Sequence, residues 1–288
     1  MSAKKILHPT DFSDAAAPAL EQAVRLALVS GARLDIFHVM LLHSEDAASV
    51  ERSMTDYLHK ARDTARTWSA GTRLEGRDLD IQTTIERGVS AYEGVMDRAS
   101  QVSPDLIVLG THGRSGVAKF LLGSEAEKIL RHAGVSVMTL GKGAAAGCVA
   151  DGFVHALVGI DFSADSRRAL DAARSMISPS RGRLTLLHAV APIAPMTYTG
   201  DVRSHFDLDP DLSSRVEQQV RQLAGPGPYE VVVTEGPAAA EIMRVAEEAG
   251  ADAIVVGGRG LSGWERVLVG SVTERVVRFA RKPVLTVR

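Results

Sequence analysis

The stretch Asp105-Leu106-Ile107-Val108-Leu109-Gly110-Thr111-His112-Gly113 closes an apolar run on a pair of spaced glycines, and it returns as Asp252-Ala253-Ile254-Val255-Val256-Gly257-Gly258-Arg259-Gly260. A short, continuous apolar run bounded by glycine reads as a central parallel strand covered on both faces. Nine residues after each motif comes a further glycine with serine, Gly123-Ser124 and Gly270-Ser271, at the start of a helical pattern. Aligned without gaps, residues 105–140 and 252–287 agree at roughly 15 of 36 positions, every glycine of the motif included.

Working outward, Ile6-Leu7-His8-Pro9-Thr10-Asp11-Phe12-Ser13 recurs as Leu157-Val158-Gly159-Ile160-Asp161-Phe162-Ser163, and Leu34–Val39 as Leu184–Ala189. An offset of about 150 residues is a domain duplication, because a unit of that length buries a core of its own. The expected domains are 1–142 and 152–288. The glycine- and alanine-rich segment between them reads as a flexible linker. It carries the single cysteine, Cys148, expected there as an exposed or incidental thiol, with a redox or pairing role as the alternative. Strands are predicted near 4–9, 33–39, 79–85, 105–110 and 135–140, and near 154–160, 183–189, 229–234, 252–257 and 283–287. Helices fill the gaps, the first over Ser13–Ser30 with Ser13 as its N-cap. The fold class is α/β: two tandem doubly wound domains, flavodoxin- or Rossmann-like, each a parallel sheet flanked by helices.

Composition narrows the function. The chain has 288 residues, 45% of them hydrophobic and 24% charged, with a formal net charge of −2. Disorder is excluded for most of it, and the basic excess expected of a nucleic-acid partner is missing. One cysteine makes no internal disulfide and no zinc cluster, which fits a reducing cytoplasm. The apolar stretch after Met1-Ser2-Ala3-Lys4-Lys5 is too short for a signal-peptide core, and no run reaches the roughly 18 apolar residues of a membrane span.

The candidate site lies beyond the carboxyl ends of the strands, where the winding reverses. Asp11 and Asp161 end the first strand of each copy, and Gly110 and Gly257 end the fourth. Glycines let backbone N–H groups approach a phosphate closely, and a helix start adds unpaired donors and its dipole. The competing reading of Ser124 with Glu127, and of Ser271 with Glu274, is a capping box in each copy. Gly258-Arg259-Gly260-Leu261-Ser262-Gly263 matches a dinucleotide fingerprint but follows a fourth strand, so the match reads as accidental, and a Walker motif is absent.

The spaced glycine motif, found twice and combined with an aspartate closing strand one, resembles the universal stress protein family over almost the whole chain. That resemblance implies a five-stranded parallel sheet in each copy and ATP, with Mg2+ as its counter-ion, at the glycine loop. It assigns Asp11 and Asp161 to the ribose hydroxyls. The backbone around Pro9, Thr10 and Val39, and around Gly159, Ile160 and Ala189, would line the adenine. Gly110, Gly113, Gly123 and Ser124 would hold phosphates in the first copy, as would Gly257, Gly260, Gly270 and Ser271 in the second. His112 and Arg259 share one loop position. After the Gly-Ser pair the second copy has Val272-Thr273, close to the ATP-binding members. The first has Glu125-Ala126, and Glu125 is expected either to repel a triphosphate or to be a solvated first-turn acid.

His38 and His188 end strand two and are expected to be structural. Asp207, Asp209 and Asp211 lack the glycine and terminal glutamate of a calcium loop, and no metal site is expected. The resemblance makes the fifth strands, Ser136–Leu140 and Pro283–Val287, the contact by which the two copies pair within one chain. Whether two chains associate stays open. The leading reading is an ATP-binding regulatory protein of the stress response with a protein partner the sequence does not identify, and with slow hydrolysis left open. A nucleotide-free interaction scaffold and an ATP-cleaving ligase or nucleotidyl transferase are the alternatives.

Overall fold

An apolar run becomes an inner strand when its backbone finds partners on both sides and its alternate side chains meet helices on both faces. In a computed structural model, which describes residues 3–42, 45–111, 122–141, 144, 148–192, 204–259 and 269–288, each copy supplies four such strands and one outer-edge strand. The first copy contributes β1 (Lys5–Pro9), β2 (Arg33–Leu41), β3 (Ile81–Gly88), β4 (Leu106–Gly110) and β5 (Ser136–Leu140). The second contributes β6 (His155–Gly159), β7 (Arg183–Val190), β8 (Tyr229–Glu235), β9 (Ala253–Gly257) and β10 (Val284–Val287). Helices α1 (Ala17–Ser30), α2 (Ala47–Ser69), α3 (Ala91–Val102) and α4 (Ser124–His132) belong to the first copy. Those of the second are α5 (Ala164–Met176), α6 (Leu212–Ala224), α7 (Ala238–Glu248) and α8 (Ser271–Phe279).

The strands form one ten-stranded sheet in the order β8-β7-β6-β9-β10-β5-β4-β1-β2-β3. Within each copy every pairing in this sheet is parallel, and the order 3-2-1-4-5 is the Rossmann order without its sixth strand. Between the copies β10 meets β5 antiparallel, with Val284 opposite Thr139, Leu285 opposite Met138 and Thr286 opposite Val137. Met138 and Leu285 are equivalent positions of the two copies, so an approximate two-fold axis passes between them. Alternation along the strands sends Ile6, Ile36 and Val108 to one face and Leu7, Phe37 and Ile107 to the other. The first face is covered by α1, α2, α5 and α6 and the second by α3, α4, α7 and α8, so that each core runs through both copies.

The two-fold relation is repeated by the helices over the junction. Arg131 on α4 lies 3.0 Å from Glu127 and 2.7 Å from Glu274 on α8, while Arg278 lies 3.1 Å from Glu274 and 3.8 Å from Glu127. The capping boxes of the competing reading do not form: the N-caps are Gly123 and Gly270, without side-chain cap bonds, and both glutamates serve the junction. The guanidinium of Arg288 adds hydrogen bonds to the Leu130 and Arg131 carbonyls at the end of α4.

Two further expectations are corrected. Ser13 does not cap the first helix, because a short 3-10 turn, Asp14–Ala16, precedes α1 and Ser13 bonds to Asp11 instead. Pro18 explains this, since it has no N–H to give to the Asp14 carbonyl. In the second copy Arg168 stands at that position, and there Ser163 does cap α5, accepting from Ser166 N. Cys148 is not exposed: it is 1% accessible, in a two-strand hairpin that pairs Cys148–Val149 with Gly152–Phe153 and packs into the core beside α1. Burial pushes its thiol up to about 12. It should react with a thiol reagent at neutral pH only after unfolding, and reaction at the rate of a free thiol in the native protein would contradict this placement.

His8, on β1, is fully buried; its Nδ1 donates to the Val108 carbonyl (2.8 Å) and its Nε2 accepts from the Tyr57 hydroxyl (3.2 Å). Burial lowers its pKa from 6.5 to about 4, against the opposing pull of the Val108 carbonyl and Asp11. The unfolded chain takes up a proton below pH 6.5 while the folded one resists until about 4. Stability from this group is thus complete above pH 6.5, is lost as pH falls to 4 and amounts to about 3 kcal/mol. His8→Val, which installs the residue of the equivalent position 158, should shrink the difference between urea-unfolding free energies at neutral and acid pH by about that amount.

Candidate functional site

Past the end of β1 the chain turns through Thr10-Asp11-Phe12-Ser13, and past β6 through Ile160-Asp161-Phe162-Ser163. Phe12 and Phe162 have φ of 62° and 65°, a left-handed conformation that bulky side chains rarely adopt. The same contacts hold both turns. Asp11 Oδ1 and Asp161 Oδ1 accept from the amides of Ser13 and Ser163, each at 3.0 Å. The Phe12 ring packs on His38 with centroids 4.4 Å apart, and the Phe162 ring on His188 at 4.8 Å. Each histidine Nδ1 donates to the carbonyl before the aspartate, Thr10 or Ile160, at 2.8 Å. His38 and His188 therefore brace the turn that carries the carboxylate.

Each turn opens onto a cavity at the crevice between strands one and four. In the first copy about 400 Å³ is enclosed, and Pro9, Thr10, Asp11, Val39, Gly110, Gly123 and Ser124 all line it. In the second about 260 Å³ is lined by Gly159, Ile160, Asp161 and Ala189, and on the opposite wall by Gly257, Arg259, Gly270, Ser271, Val272 and Thr273. All the described residues picked out in the sequence thus gather at two places. His112, Gly113 and Gly260 lie outside the described residues.

The carboxyl ends of β4 and β9 feed the opposite wall. Gly123 N donates to the Thr111 carbonyl (2.7 Å) and Gly270 N to that of Gly258 (2.9 Å), which fixes where α4 and α8 begin. With no side chain capping either first turn, its amides face the cavity rim, where an anion is favoured. In the second copy Thr273 Oγ1 donates to the Gly257 carbonyl (2.7 Å). Asp165, missed by motif reading, accepts from Arg259 N at 2.9 Å and so ties the loop to α5. Ser166 also lines this cavity. No spacing rule could have found these two, since the contacts join the first turn of one helix to a loop about 90 residues on.

The first copy differs at the same wall. Glu125 is a first-turn acid whose side chain is 38% exposed, and it is also bonded: its Oε2 accepts from Tyr92 N (2.7 Å) and Ser90 Oγ (3.1 Å), and Oε1 from Lys128 Nζ (3.0 Å). Burial opposes its charge, but the Tyr92 amide, Lys128 and Ser90 outweigh that and hold the carboxyl below its ordinary range. Glu125 thus serves the N-terminus of α3. In the second copy the equivalent positions hold Pro237 and Val272. Nearby, Gly94 lets α3 approach β2, since a Cβ there would lie 2.6 Å from Val39. The second copy exchanges these for Glu241 and Ala189.

The model of the universal stress protein family matches residues 2–140 and again 152–288. The universal stress protein YxiE of Bacillus subtilis is 33% identical over 147 residues, 47% of this chain and 99% of its own, so that one copy accounts for nearly the whole relative. The universal stress protein Rv2005c of Mycobacterium tuberculosis is 31% identical over 188 residues, 64% of this chain and 62% of its own. In overall fold the chain is similar to the crystal structure of a universal stress protein from Archaeoglobus fulgidus, with a TM-score of 0.66 at 23% identity, covering 100% of this chain and 99% of that one.

The close approach of α5 to the end of β9 gives a test of the second site's architecture. A Cβ on Gly257 would lie 2.7 Å from Asp165 Cβ and 2.8 Å from its carbonyl carbon. Gly257→Ala should therefore destabilise the protein by about 1–3 kcal/mol in urea unfolding, as overpacking does. Gly134→Ala, whose Cβ meets nothing within 4 Å, should be near neutral.

Proposed function

Because the chain belongs to the universal stress protein family, as two tandem copies of its domain, we propose that it is an ATP-binding regulatory protein of the stress response, acting in the cytoplasm, with the second-copy cavity as its triphosphate site. The observation that carries this reading is the convergence of Asp161, Arg259 and the uncapped first turn of α8 on one cavity. The chemistry of that donor set suits the ligand. A carboxylate can accept from two ribose hydroxyls, while a guanidinium and helix-start amides can meet phosphate oxygens. The glycine at 257 also fits, because a side chain there would collide with α5.

In this reading the backbone of Ile160 and Ala189 lies along the base, Asp161 orients the sugar, and Gly257, Gly270 and Ser271 receive the phosphates. Val272 and Thr273 complete the helix start. When bound, Mg2+ would supply countercharge to the phosphates. The pairing of β5 with β10 makes the two copies an intramolecular pseudodimer, and nucleotide occupancy is the signal a partner protein reads.

Asp161→Ala and Gly270→Asp should each weaken ATP binding about tenfold or more, the loss expected for a charged hydrogen-bonding partner or an anion placed in the phosphate path. Calorimetric titration checks the affinity, and mass spectrometry of denatured protein identifies any nucleotide carried through purification. Unchanged affinity in both variants, together with nucleotide-free protein, would leave the interaction scaffold as the better reading.

A further inference from the structure

We infer that the first-copy cavity is a site for an uncharged nucleoside, one that lacks phosphates, and that Glu125 is the residue setting this selectivity. The inference rests on the adenine-nucleotide reading of the second cavity and extends it to a different ligand class in the first. Three observations carry it.

Glu125 stands in the cavity wall at the second position of α4, beside the first-turn amides that would otherwise draw a phosphate. Glu125 holds a negative charge beside those amides without capping them, because its own bonds go to Ser90 and Tyr92 at the start of α3. Its carboxylate is also fixed in place. Moving it aside would strip the Tyr92 amide and Ser90 of their acceptor and leave the start of α3 unsatisfied. Lys128 is half exposed and the Glu125 side chain 38% exposed, so solvent screens both the ion pair and the repulsion of a phosphate.

The contrast between the copies isolates this pair of residues. Ser90 and Glu125 become Pro237 and Val272 in the second copy, so the hydroxyl that donates to the clamp and the carboxylate that accepts are both missing there. Arg259 lines the second cavity, whereas among the described residues the first is lined by no arginine or lysine.

What is left in the first cavity suits a nucleoside. It is the larger of the two, and Phe37, Val95, Leu109 and Ile129 give it apolar walls for a base. Asp11 stands on the same braced turn as Asp161 and presents a carboxylate to sugar hydroxyls. Leu41, the last residue of β2 and partly exposed, adds to this apolar lining.

The test is calorimetric titration of the full chain with ATP and with adenosine, read as affinity and stoichiometry. The native protein should take ATP at one site per chain and adenosine at two. Asp11→Ala should abolish one adenosine site without touching ATP. Glu125→Gln keeps an acceptor for Tyr92 and Ser90 but removes the charge. It should open a second ATP site, bound about tenfold or more tighter than in the native first cavity, and leave adenosine unchanged. Glu125→Val, the second-copy residue, should act alike, and far-UV circular dichroism confirms that each variant is folded. Two ATP sites of similar affinity in the native chain, one adenosine site, or a single ATP site in folded Glu125→Gln would each overturn the inference. Absence of ATP from both cavities in every variant would instead overturn the nucleotide reading on which it rests.

Discussion

The antiparallel pairing of β5 with β10 is the constraint on which the rest of the structure depends. Val137, Met138, Leu285 and Thr286 are all fully buried, and in a lone copy either strand would be a bare apolar edge open to pairing. Joined, they merge two five-stranded sheets into one and let each core continue from copy to copy. The outer edges are of another character: β3 carries Gln82, Thr83, Thr84 and Glu86, and β8 carries Glu230, Thr234 and Glu235, partly in contact with water. The sheet grows where it is apolar and stops where it is polar.

Antiparallel joining also decides where the two cavities lie. Strands of one copy run opposite to those of the other, so the carboxyl ends that frame the cavities sit at opposite rims of the sheet. No single small ligand can span both. The physical connection between them is the helix pair over the junction. The N-terminus of α4 lines the first cavity and that of α8 the second, and Arg131, Glu127, Arg278 and Glu274 bridge the two helices. Movement of either helix start on ligand binding would be felt at this shared ionic network.

Local pattern made much of this legible in the sequence. The ten strands follow from apolar runs and their repetition, and the walls of both cavities follow from glycines and aspartates at strand ends, because topology places all strand ends of one copy at one rim. What pattern missed has a common cause, namely contacts between groups far apart in the chain. Ser90 with Glu125, and Asp165 with Arg259, are joined only after the sheet has formed. Cys148 was misread because a glycine- and alanine-rich segment looks like a linker, yet small side chains also let a hairpin pack tightly against α1. Ser13 was misread for a local reason: the cap residue was judged without the proline five positions later, which removes the donor that a helix starting there would need. Its counterpart Ser163 followed the rule because no proline intervenes.

The two copies keep the frame of the site while changing its lining, and the strained turn shows how that is possible. A left-handed phenylalanine costs of order 1–3 kcal/mol, and both copies carry one, each braced by a histidine, an Asx-type bond and a ring contact. Those contacts lie within β1 and β2, or β6 and β7, and involve nothing on the opposite wall. The wall built from β4 and α4, or β9 and α8, is held by its own bonds to Gly123, Gly270 and the junction helices. Because the turn that carries the carboxylate has its own bonds, the exchange of Glu125 and Ser90 for Val272 and Pro237 alters the field at one wall without removing those bonds. Elsewhere the copies diverge with equal freedom. A buried ion pair, Arg98 with Asp35 at 2.7 Å, is replaced by Val245 and by a Thr185 that bonds His155. Duplication of a domain whose carboxylate-bearing turn has its own bonds permits one cavity to change its lining while both copies retain that turn.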